Sequence, residues 1–351
     1  MTKLSRRGRR LAGGSVALAF VVVLIVAVLV VVHLAKGLVG SSGDYSGGGT
    51  GTVLVVVHPG DSSTAIADTL VTDKVVRSAG AFTSAADADP RSRQLGPGTY
   101  RLHQHMQASL ALSLMLKPSS LVDYKVTIPE GFTAKSIVAR IAADTPISAA
   151  ALNAALRSPS SLGLPSYANG HVEGFLYPAT YDVQPGTTAT QLLKQMVARY
   201  QQEATSLHIP ATGKLRGLSA YQIVTLASIV QREGRLVQDF PKIAEVFTNR
   251  YSQGLPLGSD ATLFYVLGPN NGPLTQAELQ SSSPYNTRYR PGLPPTPINS
   301  PGEAALEAVI HHPNGPLMYF VTIDKAGHTA FATTQAQFNL LVQQSRANGV
   351  S

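Results

Sequence analysis

Three features of this 351-residue chain predict an α+β fold: an N-terminal transmembrane helix, small α/β modules, then a mixed, helix-rich domain. A charge-free apolar run follows a basic N-terminus. A strand–turn–helix pattern occurs twice. Long amphipathic helix patterns then dominate the second half.

Residues 1–10, MTKLSRRGRR, carry five basic residues and no acid, and read as a cytoplasmic stub. Residues 11–34 form the expected transmembrane helix, because Leu11 to Val32 holds no charge and roughly 20 apolar residues cross a bilayer. The basic flank predicts a single-pass protein of the cell membrane, its N-terminus cytoplasmic and its bulk extracytoplasmic. A cleaved signal peptide has an apolar region of only about 7–15 residues, so a retained anchor is expected. Residues 35–51, rich in Gly and Ser, read as a flexible linker.

The membrane-proximal module, 52–123, opens with a valine-rich strand, the turn His58-Pro59-Gly60 and a helix. The same pattern returns at 126–141 in register, Val55 matching Val126, Gly60 matching Gly131, Ser62 matching Thr133 and Ile66 matching Ile137. A hydroxyl near each helix start supplies a capping oxygen. Between the copies lie a short strand at Tyr100–Leu102 and a helix from about Gln107 to Lys117, stopped by Pro118. The second copy belongs to a subdomain at 124–170 whose end is loop-rich. Residues 171–345 form the largest domain. Helices are expected near 187–204, 219–233 and 303–311, and a strand at 317–324 turns at Gly327 toward a partner at 328–333.

Composition narrows the function. Net charge is +8, but five of the 28 basic residues sit in the stub, and no arginine cluster interleaved with aromatics follows, so nucleic acid is not an expected partner. The absence of cysteine excludes disulfides, thiol nucleophiles and thiolate metal sites. His103 with His105, and His311 with His312, lack a third ligand at useful spacing, so neither a metal nor a cofactor is expected.

The chemistry centres on the helix at 219–233. Ser219 and Gln222 stand in capping-box register, and Ile223, Leu226 and Val230 make one apolar stripe that Glu233 extends. A carboxyl on that face, at a helix C-terminus, loses solvation and meets the negative end of the dipole. Both effects raise its pKa toward that of a general acid. The plain alternative is a last-turn Glu that frays outward or pairs with an arginine.

Four stretches in order then carry a resemblance: EGFLYPATY (173–181), LASIVQREG (226–234), VFTNRYSQGLPLGSDATLFY (246–265) and SPYNTRYRPGLPPTPINSPG (283–302). From about residue 53 to 345 the chain resembles the bacterial endolytic murein transglycosylases of the MltG, YceG-like family. The resemblance implies that 124–170 is LysM-like and that 171–345 is catalytic. Where the family reads LASIVEKET, Glu233 matches the essential acid, Gln231 replaces the first Glu and Gly234 replaces the Thr. The implied reaction cuts the β-1,4 bond after N-acetylmuramic acid without water, leaving a 1,6-anhydro end.

Glu173 is implied to position the substrate or to support the acid, with direct catalysis as the alternative and a loop salt bridge to Arg250 or Arg290 as the plain reading. Asn286 suits an acetamido group or a developing charge, or else forms a turn for its own backbone. Tyr285 stacks on a sugar or belongs to the core. Ser259, Asp260 and Thr262 lie near a helix start, Asp260 first as a cap. Partners implied are peptidoglycan glycan strands, a penicillin-binding protein or other cell-wall synthase, and the membrane through one helix. The rival is a non-catalytic peptidoglycan-binding or scaffold protein of the same machinery.

Overall fold

The computed structural model describes residues 43–268 and 273–350. Among them no helix is long and apolar enough to cross a membrane. The longest, Ala189–Ser206, is amphipathic and carries Lys194, Arg199 and Glu203. The expected transmembrane helix, single-pass topology, cell-membrane location and membrane attachment are corrected accordingly, and the fold class becomes helix-rich α+β. The span read at 11–34 lies outside the described residues.

The chain divides into two compact units, one ending at Asp123 and the other beginning at Tyr124. The first unit contains β1 (Gly48–Val57), α1 (Ser63–Thr72), α2 (Ala79–Ala88), β2 (Gly98–Met106) and α3 (Ala108–Met115). β1 pairs antiparallel with β2, Val55 opposite Tyr100. Alternation along β1 buries Val55 and Val57 against Ile66, Leu70, Phe82 and Leu102, while Leu54 and Val56 face outward. β1 starts inside the stretch read as linker, because Gly48 and Thr50 pair with Met106 and Gln104.

The second unit begins with β3 (Tyr124–Thr127), α4 (Ala134–Asp144), α5 (Ala149–Leu156) and β4 (Thr180–Val183). β3 pairs antiparallel with β4. The sequence repeat thus extends to a complete βααβ layer in both units. Val126, Ile137, Ile141 and Leu152 pack this second layer against Leu192 and Met196 of α6 (Ala189–Ser206).

The helical body follows, with α7 (Ala220–Glu233), α8 (Phe240–Ser252), α9 (Ala261–Leu267), α10 (Gln276–Leu279) and α11 (Glu303–His311). α7 lies against α8 and α11, and Ile223, Leu226, Val230, Phe247, Leu306 and Val309 form their common core. A hairpin of β5 (Tyr319–Thr322) and β6 (Thr329–Ala332), turning at Gly327, precedes α12 (Gln335–Ala347). The second βααβ layer is fastened to the body by its first turn. Gly131 donates to the Ser300 carbonyl at 2.8 Å, and Ser300 donates back to Phe132 at 2.9 Å.

Candidate active site

α7 is held from its first residue. Ser219 and Gln222 form the expected capping box, and Ile223, Leu226 and Val230 are fully buried. Glu233 is the last helical residue, and Gly234 turns the chain away with φ −81° and ψ 124°. Glycine is needed there by packing rather than by backbone freedom, since a Cβ would stand 2.4 Å from the Phe240 ring. The chain therefore turns closely into α8, leaving Glu233 largely buried at the end of a buried stripe.

Ser259 Oγ donates to Glu233 Oε1 at 2.5 Å. The Ala261 N–H and the Arg288 charge also favour the carboxylate, whereas burial and the nearby Asp260 charge oppose it. Burial is the largest influence, and it holds the pKa of Glu233 above the ordinary carboxyl value. Ser259 is itself fixed. Its N–H donates to Thr287 Oγ1 at 3.2 Å, its carbonyl accepts from Thr262 Oγ1 at 2.8 Å, and the two threonine hydroxyls stand 3.0 Å apart. All three side chains are buried. Asp260 occupies the N-cap position of α9 but makes no side-chain capping bond. It pairs instead with Arg288, whose Nη2 lies 3.0 Å from Oδ2.

The other expected residues separate into distinct places. Asn286 is fully buried, donating to the carbonyls of Leu279 and Ser281 at 2.9 and 2.8 Å and accepting from the Arg288 N–H. Both amide hydrogens are held by backbone carbonyls. Tyr285 is half-buried, its ring centroid 5.4 Å from that of Tyr265 and its hydroxyl 2.7 Å from Thr296 Oγ1.

Glu173 accepts from the Ala134 N–H at 3.0 Å and from Tyr265 Oη at 3.1 Å. Burial raises its pKa to about 7 against those hydrogen bonds. Arg250 and Arg290 donate to backbone carbonyls, so neither makes the salt bridge considered for Glu173. Gln231 accepts from the Gly302 N–H at 2.9 Å. His312 is buried against Arg216, and among the described residues no three His, Asp or Glu group to hold a metal.

Sequence reasoning missed three members of this assembly: Thr287, Arg288 and Tyr265. Their motifs were visible, but their roles depend on partners far along the chain. A cleft of about 320 Å³ is lined by Pro284, Thr287, Arg290, Pro291 and Leu293.

The profile of the YceG-like family matches residues 55–344. The chain belongs to the YceG-like family. It is 27% identical over 303 residues to an endolytic murein transglycosylase of Bacillus subtilis strain 168, covering 82% of this chain and 83% of that one. It is 30% identical over 275 residues to an endolytic murein transglycosylase of Streptococcus pneumoniae D39, covering 69% of this chain but 49% of the longer relative. A crystal structure of a yceG-like protein of Listeria monocytogenes superposes with a TM-score of 0.53 at 28% identity, covering 83% of this chain and 99% of that one. Membership of the family supports lytic-transglycosylase function on peptidoglycan.

Proposed function

We propose that this YceG-like protein is an endolytic lytic transglycosylase. It cuts the MurNAc-β-1,4-GlcNAc bond of nascent glycan strands with Glu233 as its single general acid and base. The observation that carries the reading is the Glu233 carboxyl itself, its pKa raised by burial, at the end of an apolar helix face and bonded by the Ser259 hydroxyl.

Protonated Glu233 gives its proton to the glycosidic oxygen as the bond from muramic C1 breaks. The C6 hydroxyl of the same muramic residue attacks C1, and its proton passes to the Glu233 carboxylate. One C–O bond breaks, one forms, no water is consumed, and the acid is restored beside a 1,6-anhydroMurNAc end. Ser259, the Ala261 N–H and Arg288 stabilise the carboxylate between the two transfers. Since the nucleophile belongs to the substrate, the second carboxylate of most glycosidases is not required. Glu173 fits that economy, because no hydrogen bond or ion pair joins it to Glu233 among the described residues. In this reading 124–170, which holds β3, α4 and α5, is the LysM-like subdomain, and 171–345, which supplies the pairing strand β4, is the catalytic domain. A pure glycan-binding scaffold has no use for a carboxyl whose pKa is raised by burial at the end of that stripe.

Mass spectrometry of products from uncrosslinked glycan tests the proposal. Wild type is expected to leave muramic ends one water lighter than hydrolysis products. Glu233→Gln should lower their formation by roughly 10³-fold, within the range for losing a general acid. Reducing ends would make the protein a hydrolase. A folded, glycan-binding wild type that cuts nothing would make it a scaffold.

A further inference from the structure

Helix α9 is seven residues long and joins the two glutamates without either touching the other. At its start, Ser259 and the Ala261 N–H meet Glu233. One turn later, Tyr265 Oη donates to Glu173 Oε2. Glu173 in turn accepts from Ala134, the first residue of α4, where the helix dipole favours a carboxylate. Glu173 therefore ties the second βααβ layer to α9.

The helix is fixed sideways as well. Buried Thr262 bonds Ser259 and Thr287, and the Tyr265 ring lies against Tyr285, which is itself bonded to Thr296. One short element therefore carries both contacts: Tyr265 at Glu173, and Ala261 with the adjoining Ser259 at Glu233.

We propose that Glu173 is a positioning residue for the reaction: through Tyr265 and α9 it places the Ser259 and Ala261 donors on Glu233, and so governs how readily Glu233 gives up its proton. The inference rests on Glu233 being the acid. It goes further by naming Tyr265 as the connecting residue and by giving Glu173 a role without substrate contact. Asp260 and Arg288 are the charged groups acting on Glu233, and Tyr265 is the titratable group bonded to Glu173, itself influenced by Tyr285.

The test measures anhydro-end formation against pH for the full chain carrying Glu173→Gln, Tyr265→Phe or both. Tyr265→Phe removes only a hydroxyl and keeps the ring contact with Tyr285, so it reports even if Glu173→Gln folds poorly. Each single variant is expected to lower kcat about tenfold with KM within about twofold. The alkaline limb of kcat should move upward, because the donors that lower the Glu233 pKa are less well placed. The double variant should be no slower than the slower single, since both break one link. An unmoved limb, multiplying losses or an effect confined to KM would overturn the inference. Glu233→Gln run beside them separates the two readings. If it stays active, the acid assignment itself fails; if it is inactive while the limb stays put, only the positioning role fails.

Discussion

The two βααβ layers share a plan and differ in what their first turn touches. In the first, the turn closes on itself. His58 donates to Asp61, Asp61 donates to the His58 carbonyl, and Ser62 alone caps α1. Gly60, with φ +89°, has open space where a Cβ would stand. In the second, the equivalent turn is engaged throughout. Gly131 and Phe132 exchange hydrogen bonds with Ser300, Gly131 faces Gln231 and Arg232 of α7, and Glu173 takes the first N–H of α4. A strand, a glycine turn and a capped helix thus have in one place a turn bonded within itself and in the other a turn bonded to the segment after α7 and to Glu173. The lesson is that duplication of a fold does not duplicate its mechanical role.

The largest expected effect tests that difference directly. Gly60→Ala and Gly131→Ala each place a Cβ in the left-handed region, at φ +89° and +75°, and should each cost about 1–2 kcal/mol. Only Gly131→Ala should slow anhydro-end formation, by about tenfold, with Gly60→Ala within about twofold of wild type. Equal losses of turnover at matched melting temperatures would break the comparison.

A second, smaller effect is the pH dependence of stability. The Glu173 pKa stands at about 7 against an ordinary 4.5. A carboxyl whose folded pKa is raised contributes stability that is complete below the unfolded value and is lost as pH rises through the folded one. Melting temperature should therefore fall from about pH 4.5 to 7, and Glu173→Gln should flatten that fall. Glu233 is shifted in the same direction, so some slope should remain until Glu233→Gln is added. No carboxylate plays the part of Glu173 at the start of α1, where Ser62 is the only side-chain acceptor among the described residues. A slope unchanged by Glu173→Gln would show that the carboxyl is more solvated than its hydrogen bonds indicate.

Legibility in the sequence followed the range of the interactions. The α7 capping box, its stripe and the position of Glu233 on it are local, and each was readable from spacings of three and four residues. The repeat was half-read. α2, AGAFTSAADA, and α5, AAALNAAL, are alanine-rich and offer little apolar–polar contrast, so periodicity passed over them although alanine favours helix. Asp260 was expected as a cap from its place before α9, but Arg288, 28 residues later, takes its side chain. In the sequence Gly234 stands only as the replacement for the family's Thr. That the Phe240 ring fills the space of its missing Cβ is a packing fact no local pattern contains. Tyr265 on Glu173 is a contact 92 residues apart, visible only once the chain has folded.

The smallest expected effect reverses the order of the first. At α1, Ser62 Oγ accepts from the Ala65 N–H at 3.2 Å, and Ser62→Ala should cost about 1 kcal/mol. At α4, Thr133 Oγ1 accepts from Ser136 at 3.1 Å while Glu173 independently takes the Ala134 N–H. Thr133→Ala leaves that second acceptor in place and should cost only about 0.5 kcal/mol. Denaturant titration of the two variants measures the difference. The better-supported turn is thus the one where a lost cap matters less to stability and a strained backbone matters more to turnover, as expected if its contacts with the body hold it in place. A Thr133→Ala cost at or above that of Ser62→Ala would mean that Glu173 adds nothing to the start of α4, and its hydrogen bonds there would have to be sought as a cost to Glu173 instead of a gain to the helix.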